Sequence, residues 1–87
     1  MALVWIPSMM RDLTAGQDRV RAPGATIAEV IDALETAHPG VKERLLVRDQ
    51  LAPGVMVAVD GKRALRGLQE QVGAESEVRF LPIMAGG

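Results

Sequence analysis

Few side chains in this sequence can do covalent chemistry. Its 87 residues include no cysteine and a single histidine, His38. Without thiols there is no disulfide, thiolate zinc site, iron–sulfur ligation or cysteine nucleophile. One imidazole also excludes a histidine-based metal cluster, and any Ser-His-Asp relay would have to rest on His38. His38 directly precedes Pro39-Gly40 and has no partner nucleophile nearby in sequence. It therefore reads as a helix-end residue and not as a general base. Glu75 and Glu77 stand two apart near a strand start, a spacing that suits a solvated turn better than an acid–base pair. Neither GxGxxG nor GxxxxGK[ST] occurs, so no glycine loop is set to cradle a phosphate. The chain is expected to bind no metal and no cofactor of its own.

Charge narrows the partners. Ten basic residues, eight of them arginine, nearly balance eleven acids, leaving a net charge of −1. That balance offers no large field for nucleic acid. Trp5 and Phe80 are the only aromatics, too few for a stacking platform. The arginines (11, 19, 21, 44, 48, 63, 66 and 79) read as solvated surface, with room for a local patch toward an acidic partner. The apolar start, Met1 to Ile6, lacks a basic n-region and is closed by Pro7. It falls far short of the roughly 20 residues a membrane span needs. The expectation is a cytoplasmic protein with no membrane partner.

What remains is the end of the main chain. The sequence finishes Phe80-Leu81-Pro82-Ile83-Met84-Ala85-Gly86-Gly87. With glycine at about 7% of average sequence, a terminal pair arises in roughly one chain in 200, so the pair alone is a weak signal. Its physics is suggestive. Five residues beyond Pro82 extend about 17 Å, enough to carry a terminal carboxylate into another protein's active site. Glycines lack Cβ and can thread a narrow channel. The α-carboxylate is ionised at neutral pH and a poor electrophile, so a partner would have to activate it.

The elements that must position this end can be read from periodicity. Leu3 to Ile6 is a short apolar strand, and Arg19 to Ala22 an alternating one broken by Pro23-Gly24. Thr26 and Glu29 form a capping box. Ile27, Val30, Ile31, Leu34 and Ala37 then make an apolar helical stripe, with Glu29, Asp32, Glu35 and Thr36 on the other side. His38-Pro39-Gly40 ends the helix, and a short helical turn around residues 41–46 follows. Val55 to Val59 is a continuous β-branched run typical of a central strand. Asp60-Gly61 supplies a hairpin turn into a short return strand from Lys62 to Leu65. Residues 67–76 read as polar and irregular, and Glu77 to Ile83 as the last strand. One helix must cover one face of one mixed sheet of about five strands. If the first and last strands sit together in the centre, the α+β fold is a β-grasp, ubiquitin-like; the composition alone also allows other small α+β sheets. Residues 1–82 form that single domain, and residues 83–87 a flexible tail.

The whole chain resembles the MoaD/ThiS family of ubiquitin-like sulfur carrier proteins. Residues 11–16 (RDLTAG) are similar to the family's loop after the first strand, and residues 23–30 (PGATIAEV) to its helix entry. Residues 63–68 (RALRGL) are similar to the segment before the last turn, and residues 80–87 (FLPIMAGG) to the closing motif. The turn before the last strand departs from the family's Gly-Asp or Gly-Glu pair, having Gly73 and then Glu75-Ser76.

The resemblance implies that an E1-like adenylyltransferase uses ATP and Mg to adenylate Gly87. A persulfide donor then converts it to a thiocarboxylate for a sulfur-acceptor enzyme. That acceptor would be of the cysteine synthase, molybdopterin synthase large-subunit or thiazole synthase type. The chain is then a carrier and not an enzyme, although it could serve as the small subunit of a molybdopterin synthase-like complex. Its tail, with Ile83 after Pro82, is most similar to carriers for cysteine biosynthesis. The resemblance also places Phe80, Leu81, Pro82, Ile83 and Met84 at the partner-docking strand end, with Ala85 and Gly86 as tail. Phe80 could equally be core. Two other functions fit the residues: a modifier joined to lysines through Gly87, and a plain β-grasp binding module.

Overall fold

The computed structural model describes residues 1–82, with side chains as far as Leu81. Its strands are β1 (Ala2–Trp5), β2 (Arg19–Ala22), β3 (Leu46–Val47), β4 (Gln50–Leu51), β5 (Val55–Val59), β6 (Lys62–Arg63) and β7 (Glu77–Pro82). Its helices are α1 (Ile27–Ala37) and α2 (Val41–Leu45), with 3-10 turns at Ser8–Met10 and Gly67–Gln69. The main sheet has the order β2-β1-β7-β5-β6, and β1 and β7 lie parallel near its middle. The other pairings are antiparallel. This is the expected β-grasp.

Strand alternation decides what each face carries. Ala2 and Val4 on β1, Ala22 on β2, Val57 on β5, and Val78 and Phe80 on β7 are buried in one core. Ile27, Val30, Ile31 and Leu34 of α1 close that core, and Val41 and Leu45 of α2 extend it. The helical stripe thus behaves as its spacing requires, except at Ala37, which is exposed. At 3.6 residues per turn Ala37 drifts to the edge of the stripe. It is also the last residue before His38 leaves the helix at φ −137° and ψ 80°.

Local capping fixes both helix starts. The Thr26 hydroxyl accepts the Glu29 N–H at 3.3 Å. The Glu29 carboxylate accepts the N–H of Ala25 at 3.0 Å, one residue earlier than a capping box places it. Glu35, expected on the solvent side, is half-buried and caps α2. Its carboxylate accepts the Lys42 N–H at 2.8 Å and the Gly40 N–H at 3.2 Å. A small hairpin, β3–β4, was not expected. Its turn is Arg48-Asp49, both left-handed at φ 54° and 63°; it lacks the glycine that marks such turns in sequence.

Gly24 is the tightest point of the entry to α1. A Cβ there would lie 2.7 Å from the Val30 nitrogen and 3.0 Å from Glu29, at φ +146°. Gly16 has φ +83° but open space around it. Gly24→Ala is expected to lower the unfolding free energy, read by urea denaturation, by well over the ~1 kcal/mol typical of an αL glycine replacement. Gly16→Ala should stay within that amount. Equal losses would show that the close approach at Gly24 relaxes freely.

Candidate functional site

The strand that leads to the chain end is held on both edges. Leu3, Val4 and Trp5 of β1 face Glu77, Val78 and Arg79 across the parallel ladder. On the other side β5 pairs with β7 from Val59↔Val78 to Val55↔Pro82. Pro82 has no N–H to continue a ladder, so it suits a strand end.

Alternation along β7 separates the docking candidates. Phe80 is only 2% exposed and packs in the core, the alternative its sequence position left open, so its side chain is not displayed as a docking contact. Leu81, one residue on, is 37% exposed on the opposite face. Pro82 is the last described residue of the strand. Ile83, Met84, Ala85, Gly86 and Gly87, which carry the other docking and tail assignments, lie outside the described residues.

The start of β7 is pinned by Asp60. The sequence identified Asp60-Gly61 as a turn, and both residues are left-handed, at φ 52° and 81°. The carboxylate has a further role that no local spacing signals. One oxygen accepts the Glu77 N–H at 2.9 Å, and the other accepts the Ser76 hydroxyl at 2.8 Å. Ser76 Oγ in turn accepts the Gly73 N–H at 2.8 Å. Gly73 and Ser76 therefore build the unusual turn before the last strand. The Glu77 N–H, and next the Ser76 hydroxyl, hold the Asp60 carboxyl below the usual aspartate value; partial desolvation opposes them.

Beside the far end of β7 lies a cavity of about 210 Å³, lined by Trp5, Pro7, Met9, Arg79 and Leu81 among others. Its loop wall is tied down from α2. Arg44 makes a two-pronged pair with Asp12 at 2.9 and 3.0 Å and also donates to the Met9 carbonyl at 2.8 Å. Arg11 donates to the Ile6 carbonyl at 3.2 Å. Buried Thr14 completes the loop by donating to the Gln17 carbonyl at 2.8 Å. Cavities of about 420 and 370 Å³ flank the β3–β4 hairpin, but neither includes a β7 residue. His38 is half-buried at the end of α1, where its backbone N–H donates to the Leu34 carbonyl. Among the described residues, no three histidine, aspartate or glutamate side chains are placed to hold a metal ion. No described helix is long and apolar enough to cross a membrane. The architecture secures the last strand on both edges, by β1 over residues 77–79 and by β5 over residues 78–82.

The ThiS family profile matches residues 4–87. The chain belongs to the ThiS family. It is 35% identical to the sulfur carrier protein CysO of Mycobacterium bovis, over 97% of this chain and 96% of that one. The CysO-containing BexX/CysO complex of Amycolatopsis orientalis includes a chain that superposes with a TM-score of 0.92. That chain is 35% identical, with complete coverage of both. SAMP1 of Haloferax volcanii, a small archaeal modifier protein, is 29% identical over 99% of this chain and 98% of that one, with a TM-score of 0.75.

Within this ThiS-family fold, the Asp60 anchor gives a pH signature. Its carboxyl is depressed in the folded state, so its stabilisation is complete above an unfolded pKa of about 4. It is lost as pH falls through the lower folded value. Asp60→Asn should therefore lower the urea midpoint near neutral pH, and the deficit should shrink in strong acid. A deficit that is constant with pH would contradict this role.

Proposed function

We propose that the chain is a sulfur carrier whose working group is the carboxyl of Gly87. The observation that carries this reading is the 35% identity to CysO across nearly the whole of both chains, joined to a last strand anchored on both edges. The carboxylate attacks the α-phosphorus of ATP on an E1-like enzyme and pyrophosphate leaves, giving an acyl adenylate. A persulfide sulfur attacks the acyl carbon and AMP leaves. A thiol then cleaves the sulfur–sulfur bond, and Gly87 retains one sulfur as a thiocarboxylate. ATP and Mg are used by the activating enzyme. This chain acts as co-substrate and not as catalyst, so its lack of cysteine is no obstacle. The resemblance to CysO favours a cysteine synthase-type acceptor over the molybdopterin and thiazole types.

A second reading, conjugation to target lysines through Gly87, is favoured by the similarity to SAMP1 of Haloferax volcanii. The two readings separate in the native cell, where tagged protein should yield no ladder of heavier conjugates if it is a carrier.

Incubation with the organism's E1-like enzyme, ATP and a persulfide donor should replace one oxygen by sulfur, as read by intact-mass spectrometry. A chain lacking Gly87 should not be loaded by the same mixture. Absence of the exchange in the full chain, or equal loading without Gly87, would overturn the carrier reading.

A further inference from the structure

The face of the main sheet opposite the helices carries charge that the sequence scatters. Arg19 of β2 stands opposite Trp5 of β1, Trp5 beside Arg79 of β7, Arg79 opposite Ala58 of β5, and Ala58 opposite Arg63 of β6. These five residues form one continuous rung across all five strands, about 19 Å long at ~4.8 Å per strand. Paired residues share a face, so three guanidinium groups flank Trp5 and Ala58 on the side away from α1. The Arg79 guanidinium lies 4.3 Å from the Trp5 ring centroid and that of Arg19 lies 5.2 Å away. Arg21 adds a fourth arginine in the neighbouring row, opposite Leu3.

Acids on this face are few. Glu77 accepts the Trp5 indole N–H at 2.9 Å and stands 4.0 Å from Arg79. Asp18, at the end of β2, stands 3.7 Å from Arg19. The outward strand positions thus carry four arginines against Glu77, on a chain whose net charge is −1. Toward the tail, the same face turns apolar through the paired Met56 and Leu81, and it continues into the cavity beside Met9. Pro82 is three residues from Arg79, about 10 Å along the strand.

We propose that this basic rung is the recognition surface for the activating enzyme, which meets it with a carboxylate-bearing surface beside its adenylation site. The inference rests on the carrier reading and adds to it the chemistry of the partner. An enzyme that grips a carboxylate within about 17 Å of Pro82 must lie against residues near that strand end. Of these, the outward face offers both the exposed apolar Leu81 and the excess positive charge. The arginines are exposed, so their pairing with acids on a partner is screened by salt and acts mainly on association.

The test measures two things with the E1-like adenylyltransferase of the same organism: binding of a chain lacking Gly87, and sulfur loading of the full chain. Binding should weaken steeply as salt rises. Arg19→Glu combined with Arg63→Glu should raise the KM of adenylation about tenfold or more with little change in kcat. The corresponding lysine pair should retain most of the affinity, since charge and not the guanidinium shape is at issue. Thermal unfolding identifies any variant that fails to fold, and the salt series on the unsubstituted chain stands independently of the variants. Loading with salt-insensitive binding and an unchanged KM would overturn the docking inference while leaving the carrier intact. Salt-dependent binding without loading would overturn the carrier and leave the docking surface standing. Loss of both would remove both.

Discussion

The parallel ladder between β1 and β7 is the constraint on which the rest depends. It joins the two ends of the described chain, and β5 holds β7 from the other side. A slip of one residue would turn Val78 and Phe80 outward and bring Arg79 into the core. Neither exchange is tolerable: Val78 is wholly buried and Phe80 nearly so, while burying an unpaired guanidinium costs far more than a misplaced apolar side chain. The register therefore fixes which residues of β7 face the core and which face solvent.

Around that ladder, polar groups act as fasteners and not as catalysts. Asp60 holds the start of β7 through Glu77 and Ser76. Arg44 holds the loop after β1 through Asp12 and Met9. Glu35 joins the end of α1 to the start of α2. Each replaces an unsatisfied backbone group or a mobile loop by a specific contact. The Asp12 carboxyl lies below its ordinary range chiefly because Arg44 donates to it, and Arg44 is raised by the same contact. Together they secure the start of β7, the loop after β1 and the junction of the two helices.

Much of this was legible in the sequence, and the failures have physical causes. Thr26 and Glu29 are three apart, and the stripe from Ile27 to Leu34 is local, so α1 could be read directly. The β3–β4 hairpin could not, because Arg48 and Asp49 take left-handed angles without a glycine to announce them. Residues 80–84 are apolar throughout, which hides the period of two that separates buried Phe80 from exposed Leu81. The reach of Asp60 to Glu77 spans 17 positions, and the rung of Arg19, Arg63 and Arg79 exists only once the strands are aligned. Local chemistry and the central pairing of the first and last strands were visible; side-chain contacts across the aligned strands were not.

The chain has no thiol, and the proposed carrier chemistry places the reactive carbon in the main chain, at the carboxyl of Gly87. Tandem mass spectrometry of the loaded protein tests that claim most directly. The account predicts that the added sulfur is found only in fragments containing the carboxyl group of Gly87. Sulfur found on any other residue, or no stable sulfur on the chain after loading, would contradict it.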